Sequence, residues 1–374
     1  MVTLNKWYKS YDNDKEVNII YTDFAKAFDK VSHKKLIQVL YSFGIRGNLL
    51  EWLNQFLVNR RQQVYINSVY SESLDVKSGV PQGSVLGPLL FILYINDIIN
   101  VCSAKCFVAM FADDCKFYSE YADALQSTMD NITKYTKERQ ISLAEQKCVH
   151  LQISKKPSSC TFRFDTTAIA KVRNVKDLGV IISSDLKWKE HVNEIKSKGM
   201  IRCHHILKSF KTNNIWTLMK AFQVYVRPIL EYSSSTWNPF LSQDVQAVEY
   251  VQRFYTRRVF RRCKIPFNSY EDRLMKLGIQ KLSTRRENTD NIITYKMLHN
   301  LVDIPYSEFF QYRNNPYSLR GHGPKLTAPK RNSNVARNCF GHRIVKPWNS
   351  LPREVVNSES LETFKTKLKK INKI

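Results

Sequence analysis

The fold of this chain is decided by residues 106–118, which read Cys-Phe-Val-Ala-Met-Phe-Ala-Asp-Asp-Cys-Lys-Phe-Tyr. Two short runs rich in apolar and aromatic residues flank Asp113 and Asp114, which predicts a β-hairpin with both carboxylates at its turn. Neighbouring side chains of a strand point to opposite faces, whereas a turn can aim both carboxylates at one point. Because hard divalent ions such as Mg²⁺ prefer oxygen ligands, the pair is a candidate metal site. The alternative is a solvated turn, since Asp favours turns for local hydrogen-bonding reasons.

The composition indicates a folded chain with reduced thiols. Its 374 residues can bury a substantial core, and the length suggests two or three domains. The 8 cysteines include no Cys-x-x-Cys pair, and several lie in apolar runs, as the reduced thiols of intracellular proteins do. Residues 1–7 lack a signal-peptide core, and the longest apolar run, 85–95, is too short and interrupted to cross a bilayer. We therefore expect a soluble protein of the nucleus, the cytoplasm or both.

The charge is distributed unevenly along the chain. Residues 1–186 hold 23 Lys and Arg against 19 Asp and Glu, a net charge of +4. Residues 187–374 hold 35 against 14, a net charge of +21. A near-neutral half joined to a basic half predicts a folded core with a polyanion-binding extension, and nucleic acid is the favoured polyanion. An anionic membrane surface is the competing target, but neither terminus has a basic amphipathic helix with a continuous apolar face.

A second carboxylate lies near the end of another predicted strand. Residues 17–24 are mostly apolar and β-prone, which predicts a strand covered on both faces, and Asp23 falls near its C-terminal end. A carboxylate there costs free energy unless it is paired, which favours a metal ligand. A helix should follow, with Ser32 as its N-cap and Gly44 at its end.

A glycine-rich loop is predicted at 78–88, between a strand pair (63–66 and 73–76) and a buried apolar helix (89–98). Its glycines, spaced by four, are Gly79, Gly83 and Gly87. Such a loop lets the backbone approach another molecule closely. The alternative is an ordinary junction between a loop and a helix.

A helix predicted at 243–263 separates basic from apolar residues. Its basic face carries Arg253, Arg257 and Arg261, and its apolar face carries Val248, Val251, Tyr255 and Val259. This pattern is typical of a helix that packs on its own domain and offers guanidinium groups to phosphates. The alternative is a solvated polar face, although such a face usually mixes both signs of charge.

Several segments resemble, in this order, successive conserved blocks of reverse transcriptases. They are 21–29 (YTDFAKAFD), 78–84 (SGVPQGS), 111–114 (FADD) and 177–180 (DLGV). The likeness is greatest to non-LTR (LINE-type) retrotransposons of the Jockey-like group, and 227–232 and 346–352 are similar to the thumb and tail segments of these elements. The joint occurrence of ordered motifs is far more specific than any one of them.

The resemblance implies a two-metal site. Asp23 and Asp113 would ligate two Mg²⁺ ions, with Mn²⁺ as an alternative, and Asp114 would be a weaker or outer ligand. One ion would activate the primer 3′-hydroxyl, and the other would hold the triphosphate and the leaving pyrophosphate.

The resemblance also implies roles around the nucleotide. Phe28 matches the aromatic steric gate that excludes a 2′-hydroxyl, although it could be plain core. Gln82 and Gly83 would contact template and nucleotide, and Lys147 matches a lysine that protonates pyrophosphate. The residues before it, 143–146, depart from the usual Asn-containing pattern of the family. A primer-grip hairpin would contain Leu178 and Gly179.

The predicted architecture is α+β. Residues 1–186 would form a polymerase palm, a ferredoxin-like antiparallel sheet with helices on one face, together with partial fingers. A basic helical thumb would follow at 187–265, and a helical and irregular basic region at 266–374, with a linker or flexible arm at 321–337.

The implied activity is RNA-directed DNA synthesis, with an RNA template, a DNA primer and dNTPs as partners and no membrane. One alternative is a non-catalytic nucleic-acid-binding remnant of a retroelement. Another is an RNA-dependent RNA polymerase, which Phe28 disfavours. Only 22 residues precede Asp23, where the family places most of its fingers, so we expect impaired polymerisation. No upstream endonuclease and no later RNase H pattern is recognisable.

Overall fold

The computed structural model describes residues 1–313 and 325–371. The strands are β1 (Val17–Thr22), β2 (Arg61–Gln62), β3 (Tyr65–Ile66), β4 (Val69–Tyr70), β5 (Leu74–Asp75), β6 (Phe107–Phe111), β7 (Asp114–Ser119), β8 (Val149–Ile153), β9 (Arg163–Phe164), β10 (Thr167–Ala168), β11 (Ala170–Val172), β12 (Asn174–Asp177), β13 (Val180–Ser183), β14 (Gln311–Tyr312) and β15 (Leu326–Thr327).

The helices are α1 (Val2–Asp12), α2 (His33–Ser42), α3 (Gly47–Leu57), α4 (Leu86–Ile95), α5 (Ala122–Arg139), α6 (Lys189–Ser209), α7 (Ile215–Tyr225), α8 (Arg227–Glu231), α9 (Ser234–Trp237), α10 (Ser242–Arg262), α11 (Tyr270–Leu277), α12 (Leu282–Leu298), α13 (Asn334–Arg337), α14 (Phe340–Arg343), α15 (Val345–Ser350), α16 (Arg353–Val356) and α17 (Leu361–Ile371). Short 3₁₀ helices span Asn96–Val101, Glu145–Lys147 and Tyr306–Glu308.

Two compact units divide the chain. We call Lys15–Arg173 the sheet unit, and Met1–Asp14 with Asn174–Ile374 the helical unit. This division does not follow the boundary predicted at residue 186, because α1 and the β12–β13 hairpin are bonded into the helical unit. The Asp12 carboxylate accepts hydrogen bonds from the backbone of Asn332 and Ser333, and the backbone N–H of Ile181 donates to Nδ1 of His191.

The sheet unit is built on a five-stranded sheet in the order β11-β8-β1-β7-β6. All its pairs are antiparallel except β11 with β8. The order β8-β1-β7-β6, with helices after β1 and β7, is the split βαβ arrangement of ferredoxin-like folds. The predicted α+β palm sheet is therefore confirmed.

Helices cover one face of this sheet. Ile20, Cys115 and Phe117 point to that face and pack in a core with residues of α2, α4 and α5, among them Leu36, Leu90, Leu125 and Met129. Alternation along the strands turns Ile19 and Tyr21 to the other face. Both Ile19 and Ile20 are fully buried, which confirms a central strand covered on both faces.

The predicted strand pair near residues 63–76 is one longer hairpin with a different register. In it β2 pairs with β5 and β3 with β4, around a turn at Asn67 and Ser68. Both turn residues have positive φ, as a type I′ turn requires, and Asn tolerates this better than most residues. The turn, which the apolar pattern alone did not reveal, sets the register.

The helical unit has two parts. In the first, α6 packs against α10, with Val192, Val248 and Val251 fully buried. In the second, which includes α12 and α17, a separate core surrounds Tyr295, Phe310, Trp348 and Phe364. Part of the predicted arm is ordered as β15 and α13, while residues 321–324 lie outside the described residues. Among the described residues, no helix is both long and apolar enough to span a membrane.

A buried histidine should make the sheet unit sensitive to acid. His150 is 1% exposed, with its Nε2 2.8 Å from Oδ1 of Asn18, and burial lowers its pKa from 6.5 to about 4. Between these values the unfolded chain binds a proton that the folded chain excludes, so the free energy of unfolding falls as pH falls. We expect His150→Gln to remove up to about 1.4 kcal/mol per pH unit of this slope in urea unfolding between about pH 6 and 4.5.

The matched control for this prediction is His205→Gln, which changes an exposed imidazole on α6 and should keep the original slope. If His150→Gln lost stability with acid as steeply as the unmodified chain, the buried imidazole would not be the cause.

Candidate active site

The strand register brings the predicted acids to one end of the sheet. Thr22 pairs with Cys115, and the Thr22 hydroxyl donates to the Cys115 carbonyl at 3.2 Å. Continued by one residue, this register sets Asp23 opposite Asp114. Asp113 precedes Asp114 and lies with Ala112 in a two-residue turn, because Phe111 pairs with Asp114. The predicted hairpin is confirmed, with Asp114 as the first residue of β7.

The hairpin turn holds a strained backbone. Ala112 has φ of 53°, a conformation that costs free energy for any residue with a Cβ. Such outliers persist where the surrounding structure enforces them, often at functional sites. Below the turn, burial and the charges of Asp113 and Asp114 raise the pKa of the Cys115 thiol to about 12. Burial is the larger of these causes of the raised pKa, and the two carboxylates add to it.

The face that carries Asp23 and Asp114 points away from the helical core. Alternation from Ile19 and Tyr21 places Asp23 on that face, beside Lys116, whose Nζ is 6.0 Å from the Tyr21 ring. On β6, Phe107 and Phe111 lie on the same face and are 53% and 65% exposed. Asp23 and Asp114 thus lie at one end of a sheet face that also carries exposed aromatic rings and Lys116.

Lys147 forms an ion pair with Asp23, although residues 143–146 before it are unusual. Its Nζ is 3.2 Å from Oδ2 of Asp23. The backbone holds the two segments together, since Ala144 donates to the Asp23 carbonyl and Ala25 to the Ser142 carbonyl, each at 2.8 Å. The lysine is largely exposed, so the ion pair adds little stability. A cation bound at Asp23 would compete with this ammonium group.

No group of three or more His, Cys, Asp or Glu side chains that could hold a metal ion occurs among the residues the structure describes. Asp23, Asp113 and Asp114 are neighbours through their strands, but their side chains do not form a ready-made cluster. The metal site predicted from the sequence therefore stays a prediction.

The glycine-rich loop is fastened to the segment after β1 through Asp29, which sequence reasoning missed. Gln82 donates its amide to Oδ1 of Asp29, and the Ser78 hydroxyl donates to the Asp29 carbonyl, each at 2.8 Å. Gly79 has φ of 91°, and a Cβ there would lie 2.8 Å from Cα of Asp29. Asp29 lies in the segment 21–29, but nothing in the sequence spacing indicated that it bonds to the loop.

Phe28 and Gln82 are brought to the same neighbourhood by this docking. The backbone N–H of Val80 donates to the Phe28 carbonyl at 2.9 Å. The Phe28 ring is half-buried and stacks on Phe91 with centroids 4.6 Å apart. One side of the ring thus belongs to the core, and its role as a steric gate stays a prediction. Gln82 and Gly83 are exposed.

Glycine at position 79 should be essential to the loop. We expect Gly79→Ala to lower the free energy of unfolding of the sheet unit by about 2–4 kcal/mol, because it combines a backbone clash with an unfavourable positive φ. Gly83→Ala is the matched control: its φ is 82°, but a Cβ there meets nothing within 4 Å. It should cost only about 1 kcal/mol in the same urea titration. Equal losses in the two variants would rule out the clash as the cause.

The predicted primer-grip residues form the turn between β12 and β13 in the helical unit. Leu178 and Gly179 both have positive φ, as in a type I′ turn. Tyr232 supports the turn: its hydroxyl donates to the Leu178 carbonyl at 3.2 Å, and its ring would lie 3.3 Å from a Cβ at Gly179. Their role toward a primer stays a prediction.

The division of faces predicted for α10 is confirmed. Arg253, Arg257 and Arg261 are exposed. Their counterparts Val248, Val251, Tyr255 and Val259 are fully buried. The Arg253 guanidinium lies 5.1 Å from the Tyr270 ring centroid. Binding of phosphates by this face stays a prediction.

Comparison with known proteins finds relatives over most of the chain. Residues 5–182 match the family model described as Reverse transcriptase (RNA-dependent DNA polymerase). An uncharacterized Caenorhabditis elegans protein is 29% identical over 112 residues, 30% of this chain and 57% of that protein. The probable RNA-directed DNA polymerase from transposon X-element of Drosophila melanogaster is 24% identical over 67% of this chain. The RNA-directed DNA polymerase from mobile element jockey of Drosophila funebris is 22% identical over 64% of this chain.

The chain spans 29% and 28% of the length of these two transposon proteins. Among solved structures, telomerase from Candida tropicalis in complex with a fragment of telomeric RNA matches with a TM-score of 0.44 and 12% identity, over 82% of this chain and 46% of that one.

Proposed function

We propose that this chain, whose residues 5–182 form a reverse transcriptase domain of the LINE type, is an RNA-directed DNA polymerase that adds dNTPs to a primer 3′-hydroxyl. The observation that supports this best is the Thr22–Cys115 pair, whose register, continued by one residue, sets Asp23 opposite Asp114 and next to Asp113 at one end of a ferredoxin-like sheet. Nucleotidyl transfer needs acids on neighbouring elements that can share divalent ions, and this arrangement supplies them.

Reverse transcriptases use divalent metal ions, and the donors here suit Mg²⁺ or Mn²⁺. Asp23 and Asp113 offer half-exposed carboxylates, and Asp114 lies beside them as a weaker ligand. Since no third strong ligand is preformed among the described residues, phosphates of the nucleotide and water would complete the coordination. Bound ions would lower the pKa of the primer hydroxyl and stabilise the pyrophosphate.

The residues around the acids would position the nucleotide. Asp29 holds the Gln82 amide in place, so Gln82 and Gly83 can meet the template and the nucleotide on an exposed loop. Phe28 is fixed by Phe91 and would exclude a 2′-hydroxyl. Lys147, freed from Asp23 by the ions, would donate a proton to pyrophosphate.

The helical unit would hold the duplex of RNA template and DNA primer. Exposed guanidinium groups on α10 would bind phosphates without reading sequence. The turn at Leu178 and Gly179 would contact the primer end, since Tyr232 fixes its backbone.

Primer extension tests the proposal. The purified chain, alone and fused behind the segment that precedes the matched region in the X-element protein, is given poly(rA)/oligo(dT) with Mg²⁺ or Mn²⁺. We expect metal-dependent incorporation of dTTP in preference to UTP. Preference for UTP would indicate an RNA polymerase instead, and binding without incorporation by either form would indicate a non-catalytic remnant.

A further inference from the structure

A cavity in the helical unit lies outside the region that matches the reverse transcriptase family model. Its volume is about 460 Å³, within the range of small-ligand sites. It is lined by Met219, Phe222, Gln223, Arg227, Gln252, Met275, Gly278, Ile279, Gln280, Arg285 and Lys369. The sequence did not predict this cavity, because its lining residues come from α7, α8, α10, α11, α12 and α17 and the α11–α12 loop.

Two guanidinium groups in this cavity share one carboxylate. Arg285 takes both oxygens of Glu231, bonding Oε1 through Nε and Oε2 through Nη2, the latter at 2.8 Å. Arg227 is left with an ion pair at 3.9 Å to the same carboxylate. Among the described residues it makes no hydrogen bond, although its side chain is only 26% exposed. A partly buried cation without hydrogen bonds is costly, and an anion in the cavity would remove that cost.

The remaining wall suits a flat apolar group beside the anion. Lys369 contributes a third cation from α17, and it forms no ion pair within the described part of the chain. The same lining includes the apolar side chains Met219, Met275 and Ile279, of which Met275 is 63% exposed. Thioether and aliphatic groups make favourable contacts with aromatic rings. The lining thus combines three cationic side chains with apolar ones.

We propose that this cavity binds a nucleotide, with its phosphate at Arg227 and Lys369 and its base against Met219, Met275 and Ile279. The nucleotide is either free or one unit of a nucleic-acid strand, since both present the same phosphate and base. The net positive charge of the helical unit would attract either form. This site is separate from Asp23 and Asp113 and does not depend on the proposed polymerase activity.

Binding of AMP, adenosine, inorganic phosphate and a five-nucleotide RNA tests the proposal by calorimetry on the full chain. We expect AMP or the RNA to bind, and Arg227→Gln to weaken that binding by about 10- to 100-fold through loss of charge-assisted hydrogen bonds. Lys369→Gln should weaken it by roughly 2- to 5-fold. Lys370→Gln, the neighbouring exposed lysine on α17 that does not line the cavity, should leave it unchanged.

Three further measurements complete the test. Arg227→Gln should unfold at the same or a higher temperature, since it removes a cation without hydrogen bonds, and Arg227→Lys should restore part of the affinity. Asp113→Asn should bind AMP normally, which separates this site from the polymerase site. AMP binding that sensed Arg227 would indicate a free nucleotide, and RNA binding alone a strand. Affinity independent of Arg227 for both ligands, or phosphate binding as tight as AMP, would overturn the proposal.

Discussion

Asp113→Asn is expected to lower nucleotide incorporation by about 10³-fold or more. The amide keeps the shape of the carboxylate and suits the hairpin turn, so the fold should survive. It removes the negative charge that would hold an ion between Asp113 and Asp23. Asp23→Asn should have an effect of similar size, and Asp114→Asn a smaller one. Initial rates of dTTP incorporation on poly(rA)/oligo(dT) measure the three variants.

A matched control is Asp165→Asn, because Asp165 is an exposed carboxylate of the same unit that is paired with Lys137 at 3.0 Å. It should incorporate nucleotide at the rate of the unmodified chain. Mn²⁺ binding followed by electron paramagnetic resonance gives a readout that does not require turnover, and it should fall in Asp113→Asn but not in Asp165→Asn. Incorporation and Mn²⁺ binding within a few-fold of the unmodified chain in Asp113→Asn would refute the assignment.

The parts predicted correctly from the sequence are those with a strong local pattern. The hairpin at 106–118 was predicted because apolar and β-prone residues flank two adjacent acids in the sequence. Helix α10 was predicted within one residue of its bounds because its basic and apolar faces repeat every three to four residues. In both cases neighbours along the chain determine the structure.

The parts that escaped prediction depend on contacts between distant segments. The bond between Asp29 and Gln82 joins residues 53 apart, and the ion pair of Lys147 with Asp23 joins a short 3₁₀ helix to the end of β1. No periodicity reports such contacts. The domain boundary predicted at residue 186 followed motif order, whereas the compact units follow bonds such as that between Ile181 and His191. The same limit hid the cavity at Arg227, which several helices form together.

Primer-template binding should weaken steeply as the salt concentration rises if the helical unit binds phosphates. For about 6–10 phosphate contacts, the dissociation constant should rise by about 10³- to 10⁵-fold between 50 and 200 mM salt, measured by fluorescence anisotropy. The acids of residues 187–374 number 14 against 35 basic residues, so most of the basic side chains have no carboxylate to neutralise them. These charges would instead displace counterions from the nucleic acid.

The three arginines on the exposed face of α10 should account for a defined share of this effect. Replacing Arg253, Arg257 and Arg261 together by Gln should reduce the slope of log affinity against log salt by about 3, since each lost phosphate contact reduces it by about 1. Lys276→Gln is the matched control: Lys276 is bonded to Asp272 at 3.0 Å, so it has less charge to offer a phosphate and should change the slope by less than 1. Affinity that is independent of salt would exclude phosphate binding altogether. An unchanged slope in the triple variant would indicate that the phosphate contacts lie on another face of the helical unit.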